Sequence, residues 1–317
     1  MTPLPYPTPA QERAFLQSVV YAALFDYPLT LAQLREGLIA ERADEAELLH
    51  WYNHSACLKA SIDHREGYFY PRGRHDLLAT RREREHASRD LLRTLAAPLT
   101  ALTHMPFVRM VALSGSLAHL NGNAEADLDL FVVTSARRVW TVTVVTLALA
   151  RLFGWRKRLC LNYIVSERAL WIAPADLFSA NQIVHLQPLV GQSTYEQFLD
   201  ANRFVERFYP NFERRLARDT SPSRRAFRAL ESALDWTVGP LLEPLCRAIY
   251  RTHLRTRAHT WKSRDQVQLD RECLKLHTSS HRHEVMERFE RSLEDAVAAA
   301  EHKAATAAES SPMPACR

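Results

Sequence analysis

Apolar residues recur at helical spacing from Gln11 onward. Phe15, Val19, Ala22 and Ala23 fall on one face and lead into Leu24-Phe25. Asp26-Tyr27-Pro28 ends that helix, because the residue before a proline is held out of the α region. Thr30 then reads as an N-cap with Gln33 as its capping-box partner, and Leu31, Leu34 and Leu38 line a second short helix. Asp44 caps a third, which runs through Leu48, Leu49 and Tyr52. Ser61-Ile62-Asp63 and Tyr68-Phe69-Tyr70 follow as two short strands around a His64-Arg65-Glu66-Gly67 turn. A new unit opens near Met105-Pro106. Its apolar run Met110-Val111-Ala112-Leu113 predicts a buried strand, and Leu128 to Val133 predicts a second. Arg137 to Phe153 predicts a helix stopped at Gly154, and Leu159 to Val165 a third strand. From Ala173 to about Lys303 the pattern is almost all helical, cut by Pro210, Pro222, Pro240 and Pro244.

These patterns divide the chain into a loose, Pro-rich segment at 1–10, a module at 11–73, an arginine-rich helical linker at 74–104, an α/β core at 105–172, a helical C-terminal domain at 173–305 and a disordered tail at 306–317. Three short helices and a hairpin are the plan of a winged helix. A winged helix that reads duplex DNA does so through its third helix. Here that helix, Asp44 to Trp51, carries Asp44, Glu45 and Glu47 and no Arg or Lys, so it lacks the cations that hold a phosphate backbone. A protein-binding or substrate-positioning module is the alternative use.

Composition narrows the classes. Of 317 residues, 47% are apolar and 24% charged, enough for two or three units with real cores. The net charge of +5 favours anionic partners only mildly. The five cysteines, Cys57, Cys160, Cys246, Cys273 and Cys316, form no CxxC pair, which excludes zinc-knuckle spacing and points to reduced thiols in a cytoplasm. The N-terminus MTPLPYPTPA has neither the basic region nor the apolar run of a secretion signal. The most apolar run, Val139 to Ala150, is shorter than the roughly 20 residues of a membrane span, so a buried helix is expected and no membrane partner.

The chemistry concentrates between Met110 and Val133. A strand ends in Gly115-Ser116, ten residues intervene, and Asp127-Leu128-Asp129 opens the next strand. Glycine lets a phosphate approach the backbone, and a helix N-terminus adds unpaired N–H groups and a positive dipole end. Aspartates at i and i+2 of a strand share a face, so Asp127 and Asp129 both reach one divalent cation or a pair of them.

This order of features resembles the nucleotidyltransferase superfamily, which includes DNA polymerase beta-like enzymes, aminoglycoside nucleotidyltransferases and minimal antitoxin-type members. The resemblance covers residues 107–166. More loosely, Phe25-Asp26-Tyr27-Pro28-Leu29-Thr30 and Leu161-Asn162-Tyr163 resemble bacterial proteins described only by a nucleotidyltransferase domain. The resemblance implies an α/β nucleotidyltransferase fold with a mixed sheet, nucleotide phosphates at Gly115 and Ser116, and catalytic Mg²⁺ or Mn²⁺ on Asp127 and Asp129. It also implies transfer of a nucleoside monophosphate from a nucleoside triphosphate to an acceptor, either a small molecule or a protein. Nucleic acid is the more weakly supported partner. The sequence departs from the family in one respect. Active members carry a third carboxylate on a later strand, where this chain has Asn162, a residue that orients an acceptor but removes no proton. Glu167, just past that strand, is a candidate substitute acid, and Ser166-Glu167-Arg168 reads equally well as a turn into the next segment. Arg109, Arg137 and Arg138 are candidates to neutralise phosphate. Two other readings stand beside the enzyme: a nucleotide-binding adaptor that lost catalysis, and a winged-helix DNA-binding regulator.

Overall fold

A computed structural model describes residues 5–217, 224–237, 239–264, 267–276 and 281–309. The chain is a mixture of helices and two sheets, divided into two compact units. One takes residues up to Glu83, Phe204–Glu213 and the chain from His281 on. The other takes Arg84–Arg203 and Arg214–Ser280.

The chain starts with helix α1 (Pro9–Ala23), capped by a Thr8–Gln11 box with Pro9 at its first position. The expected loose segment is therefore shorter than 1–10, and residues 1–4 lie outside the described residues. Strand β1 (Leu29–Thr30) and helix α2 (Leu31–Glu36) follow, with the Thr30–Gln33 box formed as expected. Helix α3 (Glu45–His54) has the Asp44–Glu47 box. Helix α4 (Ala56–Ser61) was not foreseen, and its cap is Ser55. Strands β2 (Ile62–Arg65) and β3 (Tyr68–Pro71) make the hairpin. Its turn is Glu66-Gly67 alone, both residues at positive φ, so the strand runs through His64 and Arg65. The three strands pair in the order β1-β3-β2. Phe15, Leu34, Leu38, Leu48 and Leu58, with Ile62 and Phe69 of the strands themselves, are fully buried.

The arginine-rich segment is no linker. Helix α5 (Asp76–Thr94) buries Leu77, Arg81 and Ser88, and helix α6 (Ala96–Thr103) buries Leu102. Only the outward arginines gave the segment its solvated look. The second unit's sheet begins with β4 (Val108–Leu113), then the one-turn helix α7 (Gly115–Ala118), β5 (Leu128–Thr134), helix α8 (Val139–Leu152) and β6 (Leu159–Ser166). All three predicted strands and the buried helix are there. Helix α9 (Leu177–Val184), strand β7 (Gln187–Val190) and helix α10 (Gln192–Ala201) come next, and α11 (Val205–Phe208) lies in the first unit. Helices α12 (Arg224–Thr237) and α13 (Gly239–Thr256) lead to strands β8 (Val267–Leu269) and β9 (Cys273–Leu276). The last helix, α14 (Arg282–Glu309), packs in the first unit, with Phe289 edge-on to Tyr21 at 5.1 Å.

A separate C-terminal helical domain at 173–305 is therefore not what forms. That stretch is shared between both units, and three of its segments are strands. The sheet order is β7-β4-β5-β6-β9-β8, with β5 and β6 parallel and every other neighbour antiparallel. The helix expected to end at a loose tail runs on to Glu309, and residues 310–317 lie outside the described residues. Helix α8 is held from outside. Glu243 of α13 accepts from the backbone N–H of Trp140 at 3.0 Å and of Thr141 at 2.8 Å, which caps donors that Arg138 leaves unserved. Among the described residues, no helix is long and apolar enough to cross a membrane.

Candidate functional site

Antiparallel pairing of β4 with β5 and parallel pairing of β5 with β6 fix which residues meet. The end of β4 and the starts of β5 and β6 come to the same edge of the sheet, with Leu113 opposite Leu130 and Asp129 opposite Cys160. The Ser114 N–H donates to the Asp129 carbonyl at 2.9 Å, which locks the turn after β4 to the start of β5. At this edge lies a cavity of about 450 Å³ lined by Arg84, Ser116, Asn121, Gly122, Asn123, Ala126, Asp127, Asp129 and Cys160. That volume is in the range of small-molecule clefts. Both aspartates reach it, Asp127 exposed and Asp129 half-buried.

Gly115 sits at φ +63°, in the left-handed region. A Cβ there would stand 2.3 Å from the Asp129 Oδ2. The carboxylate thus rests directly against glycine backbone, and any other residue there would be strained and would displace it. Gly122 is equally constrained, since a Cβ would meet Leu117 at 2.7 Å and Ala126 at 2.9 Å. The loop between Ser116 and Asp127 is pinned at its start and at its middle. The Asn121 N–H donates to the Ser116 carbonyl at 2.8 Å. Ser88, fully buried on α5, accepts from the Gly122 N–H at 2.9 Å and donates to the Gly122 carbonyl at 3.0 Å. That serine closes both backbone groups of one residue, so the loop cannot lift without stranding them.

The lining carries groups of both signs. Burial pushes the Asp129 carboxyl up to about 6. The Cys160 thiol donating to it pulls the other way, and the neighbouring Asp127 charge adds to the rise. The same lining includes Ser116, Asn121, Asn123 and Arg84, with the Arg84 Nη1 3.4 Å from the Asn121 Oδ1. The cavity therefore combines carboxylates that attract a cation with side-chain donors to an anion.

The structure relocates several residues singled out in the sequence. Arg109 is the second residue of β4 and forms a bidentate pair with Glu231 at 2.8 and 2.9 Å. Arg138 pairs with Asp235 and donates to the Gly239 carbonyl at 2.8 Å, while the Arg137 N–H donates to Glu272 at 3.1 Å. All three lie at the far end of the sheet from the cavity, because Arg109 is near the start of β4 and Arg137 and Arg138 follow β5. Proximity in sequence to Asp129 misled, since a strand of seven residues separates its two ends by roughly 20 Å. Glu167 follows β6 at that same far end, where its carboxylate accepts from the Ala136 N–H at 3.1 Å and its own N–H donates to the Thr134 carbonyl. It is not a substitute third acid.

Asn162 belongs to β6, and its side chain lies outside the described residues. The register nonetheless places Cys160 beside Asp129, and an irregularity lets Phe131 pair with Tyr163, so one extra residue of β6 is taken up between them. The position next to the aspartates is thus a thiol. Among the described residues, no group of three His, Cys, Asp or Glu side chains is placed to hold a metal. The expected helix dipole is also reduced, because α7 is a single turn. Sequence reading missed Arg84, Ser88 and Cys160. The only signal for the first two was their i, i+4 spacing on an amphipathic helix.

Comparison of the chain with protein-family models, with curated proteins and with solved structures found no match.

Proposed function

We propose that the cavity binds a nucleoside triphosphate with Mg²⁺ or Mn²⁺, and that the second unit has a nucleotidyltransferase-type fold performing nucleotidyl transfer. The observation that carries this reading is the meeting of Asp127 and Asp129 with a glycine turn at one cavity whose lining also holds Ser116, Asn121, Asn123 and Arg84 as donors. A wholly acidic pocket fits a bare cation, and a wholly basic one fits a bare phosphate. A pocket lined by both kinds of group fits a metal–polyphosphate pair.

Asp127 and Asp129 would hold the cation, which when bound neutralises charge on the departing pyrophosphate. Ser116 and the backbone at Gly115 would donate to phosphate oxygens. In the reaction an acceptor hydroxyl oxygen bonds to the α-phosphorus, the bond to the pyrophosphate oxygen breaks, and the hydroxyl proton passes to water. Among the described residues lining the cavity, no third carboxylate is there to take it.

That last point favours a second reading. With Cys160 beside Asp129 and Glu167 at the far end of the sheet, a protein that binds the metal–nucleotide complex without turning it over has a specific structural basis. The first unit, with its three-stranded sheet and capped helices, is read as a winged-helix-like module, and α3 with Glu45 and Glu47 speaks against duplex DNA as its partner. The test is pyrophosphate release from labelled triphosphates in Mg²⁺ or Mn²⁺. Release that disappears in Asp127→Ala and Asp129→Ala supports transfer. Metal-dependent nucleotide binding without release supports the second reading, and no binding at all removes both.

A further inference from the structure

We infer that Arg84 is the polyphosphate anchor of the cavity, contributed by a helix that precedes the sheet rather than by the sheet itself. This inference rests on the nucleotide reading above and adds to it the residue that selects for the length of the phosphate chain.

The argument starts from charge. Asp127 and Asp129 bring negative charge to a cavity expected to take a ligand carrying several more negative charges. A single divalent cation offsets only part of that. Among the described residues lining the cavity, Arg84 is the one cationic side chain. Arg109, Arg137 and Arg138 are at the far end of the sheet, where Arg109 and Arg138 are engaged with Glu231 and Asp235. Position supports the assignment. Arg84 and Ser88 are one helical turn apart on α5, so they face the same way. Ser88 is fixed to Gly122 by two hydrogen bonds, and this orients the helix face that carries Arg84 toward the loop. Arg84 is half-buried, with its guanidinium 3.4 Å from the Asn121 Oδ1, in the lining that also holds the two carboxylates. A planar guanidinium there can give two parallel N–H donors to one phosphate, which an ammonium cannot. A polyphosphate whose cation sits on the acids thus has Arg84 in the same lining for a further phosphate group. A monophosphate has a single phosphoryl group to share between the two.

The experiment measures binding of AMP, ADP and ATP, each with Mn²⁺, to the wild-type protein and to Arg84→Gln and Arg84→Lys, together with Mn²⁺ binding alone. In Arg84→Gln, ATP affinity falls about 10- to 100-fold, the loss of a hydrogen bond between charged groups. AMP affinity and Mn²⁺ affinity stay within about twofold, and Arg84→Lys recovers part of the ATP loss, because it restores charge without the fork. Equal losses for all three nucleotides, or a parallel loss of Mn²⁺ binding, would show that Arg84 only supports the loop. ATP binding unchanged in Arg84→Gln overturns this inference and leaves the nucleotide reading intact. A wild-type protein that binds no triphosphate with Mn²⁺ overturns the nucleotide reading, and this inference with it.

Discussion

Replacing Gly115 by alanine tests how the turn and the carboxylate are built around each other. Two costs add. The backbone at φ +63° puts an L-residue in the left-handed region, at roughly 1–2 kcal/mol. The new Cβ also lands 2.3 Å from the Asp129 Oδ2 and 3.0 Å from its Cγ, so the carboxylate must swing away. An off-rotamer side chain with some overpacking costs about 1–2 kcal/mol more. The total is a loss of about 2–4 kcal/mol, read by urea unfolding with Trp140, fully buried in that unit, among the reporters. A double-mutant cycle separates the terms. In an Asp129→Ala background the Oδ2 and Cγ contacts vanish and only the 3.1 Å approach to Cβ remains, so Gly115→Ala should then cost about 1–2 kcal/mol, the backbone part alone. Divalent-metal binding, measured with Mn²⁺, should be lost in the single Gly115 variant because the carboxylate has moved. Additive costs in the cycle, or wild-type Mn²⁺ affinity in Gly115→Ala, would refute the picture of a carboxylate seated on glycine backbone.

Three further predictions follow from the same site. Burial raises the Asp129 carboxyl to about 6, so the folded metal-free protein holds a proton that the unfolded chain has released. Stability must fall as pH rises from about 4 to about 6, by on the order of 2 kcal/mol relative to Asp129→Asn. The half-buried His185 has the opposite sign: desolvation, with Arg215 nearby, lowers it to about 4, so stability is lost as pH falls from about 6.5 toward that value, and the two are told apart only by the Asn variant at Asp129. Equal pH slopes for wild type and Asp129→Asn would contradict the first statement. Ser88→Ala leaves the Gly122 N–H and carbonyl without their partner and should cost about 1–3 kcal/mol, with faster amide exchange at Gly122 as the local sign. Cys160→Asp puts a third carboxylate beside Asp129. It should lower metal-free stability by about 1–2 kcal/mol through like-charge repulsion and recover it with saturating Mg²⁺. A melting temperature insensitive to Mg²⁺ in that variant would show that the thiol position does not face the cation.

The parts of this chain that were legible without coordinates share a physical basis. The Thr30–Gln33 capping box and the Asp44 cap are local, set by residues three apart, and both formed where expected, the second with Glu47 completing a box. The three central strands and α8 are long enough for periodicity to decide between helix and strand. Strands β7, β8 and β9 are three or four residues each, below the length at which alternation separates from a helical pattern, and β7 contains Pro188. They become strands because the edges of a sheet already in place offer them partners, a tertiary cause with no local trace.

The site divides along the same line. Gly115, Asp127 and Asp129 were legible because the chain brings them together through one short connection. Arg84 and Cys160 reach the cavity from α5 and from the parallel strand β6, the second across a crossover helix, and only strand register decides that Cys160 stands beside Asp129. The same register shows why Arg109, Arg138 and Glu167 were wrongly attractive: sequence distance measures path length, and an extended strand converts a few residues of path into the full height of the sheet. For a site at one edge of a sheet, the useful question of any charged residue is therefore which end of its strand it occupies. By that criterion the donors that share the cavity with the aspartates come from the loop after β4 and from α5, and a charge reversal at Arg109 or Arg138 should disturb packing while leaving the cavity's ligand preference where Arg84 sets it.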